Sequence, residues 1–197
     1  MKNDAVLKEF QDAGAILNGH FILSSGLHSD TYLQCARVLM ESSRAERLCK
    51  ALAKLVKKRI TTRIDIVVAP AMGGVVVGYE MGRQLGVPAV FCERQDGVFQ
   101  LRRGFDIPPS SNVLVIEDVV TTGKSSRETY QCILDNGGIV VGEASLVDRS
   151  GGKAEETLGV PLVSLMTLEV ATFPADALPA HLKDVPAVKP GSRWMKK

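Results

Sequence analysis

Between Ser42 and Arg59 the apolar residues Ala45, Leu48, Leu52, Leu55 and Val56 recur at a spacing that lays them along one helix face. Ser43 followed three positions later by Glu46 offers a capping box at the start of that helix. The pattern then changes. Ile64 to Ala69 is a continuous apolar run of strand length, followed by a glycine-bearing loop at Pro70 to Gly74 and a helix to about Leu85. Further strands are predicted at Pro88 to Cys92, Val113 to Ile116, Ile139 to Val147 and Pro161 to Leu168. A helix from about Lys124 to Leu134 ends at Asn136-Gly137-Gly138, a stop that supplies left-handed backbone cheaply. Apolar strands separated by helices predict an α/β fold: a parallel sheet with helices on both faces.

Two segments interrupt this alternation. Phe21 to Gln34, FILSSGLHSDTYLQ, holds short strand-like pieces and reads as a small hood. Glu93 to Pro109 is polar, carries Asp96-Gly97 as a turn signal and ends in a double proline, so it reads as a hairpin or lid. A single domain over residues 1–197 is expected, with the hood over about 1–40 and the lid over about 93–109. The C-terminal stretch after Phe173-Pro174 is punctuated by proline, and Trp194 is a candidate anchor for it.

Charge and composition remove several function classes. A net charge of +2 with scattered basic residues and few aromatics argues against a nucleic-acid surface. Cys35, Cys49, Cys92 and Cys132 form no C-x-x-C pair, so they read as free thiols of a cytoplasmic protein rather than a zinc or redox site. The N-terminus has no apolar signal core, and no apolar run is long enough to span a membrane.

The chemistry concentrates in VIEDVVTTGKSS, Val115 to Ser126. Glu117 and Asp118 directly after the strand Val113 to Ile116 lie where open α/β sheets bind ligands. Thr121, Thr122, Gly123, Lys124 and Ser125 then present hydroxyls and backbone N–H groups at a helix start, an anion site. Carboxylates beside an anion cradle suit vicinal hydroxyls close to a phosphate, as in a ribose 5-phosphate. A Walker A loop needs glycine where Asp118 stands, and an acid there would repel a triphosphate. The plainer alternative is a solvated acidic turn and a capped helix, with Ser125 and Glu128 as capping box.

This stretch resembles the phosphoribosyl-diphosphate signature of the type I phosphoribosyltransferases. Within that family the chain is similar to the orotate-using branch: Phe21 to Gly26 with Ser29 and Tyr32 matches its hood, and Asp148-Arg149 its late D-R pair. The likeness covers roughly Phe21 to Gly151 and the helical N-terminus. It implies that Glu117 and Asp118 bind ribose hydroxyls, that Thr121 to Ser125 cradle the 5-phosphate, and that Val119 and Val120 also belong to the phosphoribosyl-diphosphate site. It also implies that Ala71, Met72 and Gly73 belong to a diphosphate loop. Ser25, Gly26, Thr121 and Arg149 would hold orotate, with Arg149 on its carboxylate. Mg²⁺ held mainly by substrate oxygens is implied as cofactor, without a dedicated metal cage, and so is a homodimer whose lid reaches its neighbour's site.

The lid departs from the family pattern. Many relatives carry lysines and a histidine there; this chain has Arg94, Arg102 and Arg103, and its histidines are His20, His28 and His181. Ser24 stands where many members have a hood lysine. Arginine stays protonated at neutral pH, so these three residues with Asp118 are expected to stabilise charge rather than transfer a proton. Two alternatives remain at this stage. A purine enzyme would leave Arg149 without a carboxylate, and a non-catalytic phosphoribosyl-diphosphate sensor would need no lid chemistry.

Overall fold

The computed structural model describes residues 1, 3–23 and 25–190; Ser24 and Trp194 lie outside the described residues. In chain order the elements are α1 (Asn3–Asp12), β1 (Ile16–Ile22), β2 (His28–Leu33), α2 (Cys35–Leu39), α3 (Ser42–Arg59), β3 (Ile66–Pro70), α4 (Gly73–Leu85) and β4 (Ala89–Gln95). They continue with β5 (Val98–Leu101), β6 (Asn112–Val120), α5 (Lys124–Asp135), β7 (Ile139–Asp148), α6 (Ala154–Leu158), β8 (Leu162–Thr167) and α7 (Ala180–Lys183).

Strands β3 to β8 form one six-stranded sheet in the order β5-β4-β3-β6-β7-β8. Only the β4–β5 pair is antiparallel. The two-residue period of β3 and β6 splits the core in two. Val67, Ala69, Leu114 and Ile116 face α3 and α4 through Leu48, Leu52, Val77 and Met81. Ile66, Val68, Val113 and Val115 face α5 through Tyr130 and Ile133. Burial on both faces is why these strands read as unbroken apolar runs. The hood is a two-stranded antiparallel sheet of β1 and β2, beginning earlier than the expected strand pieces. The C-terminal segment binds to it: Phe173 pairs with His28 and Val188 with Phe21. No described helix is long and apolar enough to cross a membrane.

Three expectations need correction. Strand β6 does not stop at Ile116 but pairs with β7 through Val120↔Asp148, so Glu117 and Asp118 belong to the strand itself. Neither capping box forms. Helix α3 starts from an extended Glu41, whose Oε1 accepts the Ser43 hydroxyl at 2.7 Å, and α5 starts from a left-handed Gly123. Glu128 is drawn away by an ion pair with Arg94. The Asp96-Gly97 turn is as expected: both residues have positive φ, 51° and 86°, which suits a two-residue hairpin joining β4 and β5.

Helix α4 lies close on the sheet because of its glycines. A Cβ on Gly82 would lie 2.7 Å from Ala89 Cβ and 3.0 Å from the Val87 carbonyl oxygen. Gly82→Ala would gain up to about 1 kcal/mol of helix propensity, but overpacking against fixed backbone costs about 1–3 kcal/mol and should win. Urea unfolding should show a net loss; a variant as stable as the parent would contradict this packing.

Candidate active site

The carboxyl ends of β3 and β6 open a cleft of about 410 Å³ beneath the hood. Asp118 lines it and presses on the first turn of α4, where a Cβ on Gly73 would come within 2.9 Å of Asp118 Oδ2. Glycine is required for that approach. The Val119 N–H donates to Asp118 Oδ1 at 2.9 Å. Burial nevertheless raises the Asp118 pKa, against the hydrogen bonds from backbone N–H groups. Glu117 is only 8% exposed, and its pKa is pushed well up by burial first, then by the charges of Asp118 and Glu143. Two crowded carboxylates make this part of the cleft receptive to hydroxyl donors or a cation.

Beside the acids, Thr121 to Ser126 enclose a recess of about 190 Å³ that Arg94 and Ser25 also line. Gly123 turns the chain with φ 66°, and a side chain there would strike Leu158 Cδ2 at 2.7 Å. The open backbone N–H groups at the start of α5 face an anion favourably. A buried network braces this helix from behind. Ser126 Oγ donates to Glu143 Oε1 at 2.8 Å, and the Tyr130 hydroxyl donates to the other carboxylate oxygen. Burial raises the Glu143 pKa to about 7, opposed by these two hydrogen bonds.

Arg149 follows β7 and closes the far side of the cleft with Tyr32. Asp148 holds its turn by accepting the N–H groups of Ser150 at 2.8 Å and Gly152 at 3.2 Å. Arg149 is 8% exposed, yet its Nε and Nη2 have no hydrogen-bond partner among the described residues. Burial lowers its pKa, against the charges of Tyr32, Cys35 and Asp30. A buried guanidinium edge with unmet donors is costly and is relieved by a planar anion.

The predicted residues divide clearly. Ser25, Ala71, Gly73, Arg94, Glu117, Asp118, Val119, Thr121, Thr122, Ser125 and Arg149 line the cleft, and Val120, Gly123 and Lys124 line the adjoining recess. Gly26 instead shapes the hood turn, with φ 86°, and Met72 is 82% exposed. Arg102 and Arg103 turn to Glu93, at 4.0 and 3.1 Å, and do not line the cleft. Arg94 stacks on Phe99, 4.2 Å from the ring centre. Sequence reasoning missed Phe99, Lys189 and Pro190, which also line the cleft. Phe99 was within reach, as an apolar residue in a polar lid; nothing local marks Lys189.

Among the described residues no group of three or more His, Cys, Asp or Glu is placed to hold a metal ion. Glu117 and Asp118 are hard oxygen donors facing the cleft, and they fit an Mg²⁺ whose other ligands come from substrate and water.

Glu143 binds its proton more tightly in the folded chain, so its contribution to stability falls as pH rises from about 4.5 to about 7. Glu143→Gln removes that titration. Between about pH 5 and about pH 8 the variant should lose less stability than the wild type in urea unfolding, whereas parallel profiles would contradict the assignment.

Comparison with known proteins places the chain in a family. Residues 39–160 match the phosphoribosyl transferase domain family. The chain is 55% identical over 193 residues to an orotate phosphoribosyltransferase of Sphingopyxis alaskensis, covering 98% of each. It is 53% identical over 196 residues to that of Caulobacter vibrioides, covering all of both. The crystal structure of orotate phosphoribosyltransferase from Aeropyrum pernix superposes with a TM-score of 0.71 at 30% identity, over 83% of this chain and 93% of that one. With the acidic strand end, the anion recess and the orphaned arginine gathered in one cleft, the chain belongs to the orotate phosphoribosyltransferases of the phosphoribosyl transferase domain family.

Proposed function

We propose that this chain transfers the phosphoribosyl group of 5-phosphoribosyl 1-diphosphate to orotate, giving orotidine 5′-monophosphate and diphosphate in pyrimidine biosynthesis. The observation that carries the residue roles is Arg149, which lines the cleft adjoining the α5 anion recess and whose buried Nε and Nη2 have no partner among the described residues. Orotate presents a carboxylate to that edge, and the ribose 5-phosphate fills the recess. The sugar then spans Glu117 and Asp118, and the diphosphate lies along Ala71 and Gly73.

The new bond forms between the ring nitrogen of orotate and the anomeric carbon, and the proton lost from that nitrogen is taken up by a diphosphate oxygen or by solvent water. The bond from that carbon to the diphosphate oxygen breaks, and its electron pair leaves with the diphosphate. Positive charge spreads over the sugar in between, and Asp118 opposes it. Arg94, Arg102 and Arg103 would meet the negative charge on the leaving group, which requires the latter two to exchange their present pairing with Glu93. Mg²⁺ held by substrate oxygens near Glu117 and Asp118 would supply further neutralisation of the diphosphate. In this reading one domain over residues 1–197 acts as a cytoplasmic homodimer, with each lid able to reach the neighbouring cleft.

The absorbance of orotate should fall only when protein, orotate, phosphoribosyl diphosphate and Mg²⁺ are all present. Asp118→Asn should lower kcat by about a hundredfold, since the negative charge that stabilises the cationic transition state is removed. Turnover of adenine instead, or binding of phosphoribosyl diphosphate with no turnover, would overturn the activity. Replacing both Arg102 and Arg103 by alanine should lower kcat by about tenfold or more with little change in KM for orotate. An unchanged kcat would remove the lid arginines from the reaction.

A further inference from the structure

The C-terminal segment is fastened along the hood at successive points. Phe173 and His28 exchange two backbone hydrogen bonds of 2.8 Å. His181 lies 3.5 Å from Asp30, and Leu182 is buried. The Val185 carbonyl can only accept, so His20 Nδ1 donates to it at 2.7 Å, while His20 Nε2 meets His28 Nδ1 at 2.6 Å. Val188 then joins the edge of β1: its N–H donates to the His20 carbonyl and its carbonyl accepts the Ile22 N–H, both at 2.8 Å. This pairing runs parallel to β1 at Phe21.

The next two residues, Lys189 and Pro190, line the cleft together with Ile22, Leu23 and Ser25 of the hood. Such a run of ties ends in a cation placed at the hood end of the site. Among the described residues the other cations lining the cleft are Arg94 and Arg149. Lysine brings a compact, strongly hydrated charge on a four-carbon stem, a shape of cation that neither arginine supplies.

We propose that Lys189, delivered by the C-terminal strap, is a substrate-binding residue at the orotate end of the cleft and holds the anionic ring together with Arg149. This rests on the activity inferred above. A charge-assisted contact of this kind corresponds to roughly tenfold or more in affinity. Lys189→Ala should therefore raise KM for orotate and weaken its calorimetric binding by about tenfold or more. KM for phosphoribosyl diphosphate should stay within about twofold, and Lys189→Arg should recover part of the loss. Val188→Pro removes the donor to the His20 carbonyl while keeping Lys189 in the chain, so it should raise KM for orotate in the same direction.

An unchanged KM for orotate in Lys189→Ala, or equal rises in both KM values, would overturn the assignment. The two failures separate. No orotate turnover by the wild type would overturn the activity and this assignment with it, whereas normal wild-type turnover beside an indistinguishable Lys189→Ala overturns Lys189 alone.

Discussion

The parallel pairing of β3 with β6 is the constraint on which the site depends. After β3 the chain continues through α4 to β4 on one side, and after β6 it continues through α5 to β7 on the other. The two connections leave the sheet in opposite directions and part at its carboxyl edge, which is where an α/β sheet leaves a crevice. Ala71 to Gly73 and Thr121 to Gly123 are the two walls so produced. Gly73 lets them close to van der Waals contact with Asp118 without filling the space between. The hood and its C-terminal strap roof this crevice rather than create it.

Charge in the cleft follows from the same arrangement. The sheet buries Glu117 and brings Glu143 behind it, while Asp118 keeps a backbone N–H as partner. Arg149, held by the turn that Asp148 organises, is equally deprived of water. Buried acids crowded together, and an arginine edge with no acceptor among the described residues, are each unfavourable, and the ligand proposed here relieves both. Stability is lower for it, and binding selectivity is the return. Glu143 has a different part: with Ser126 and Tyr130 it ties the first turns of α5 to β7, so the anion recess is built on a rigid element.

The helices and the chemistry were more legible in the sequence than the edges and the pairings. The span Ser42 to Arg59 was readable because its apolar face repeats over many turns. The capping boxes were not, since Glu128 had a distant competitor in Arg94 that local spacing does not reveal. The end of β6 was misread because two acids look like a loop; they stay in the strand because β7 continues to pair beside them. Arg149 could be named from its motif, while its unmet donors required the surrounding packing. Lys189 was invisible because its place depends on Val188 finding β1 across nearly the whole chain.

The central claim is that the orphaned edge of Arg149 selects a carboxylate-bearing pyrimidine. Its most direct test is the ratio of kcat/KM for orotate to that for uracil, the same ring without the carboxylate, measured with phosphoribosyl diphosphate and Mg²⁺. Leaving buried donors unpaired on the wrong substrate predicts a preference for orotate of about a thousandfold or more. Comparable turnover of uracil would mean that Arg149 does not read the base, and the account of this cleft would be wrong.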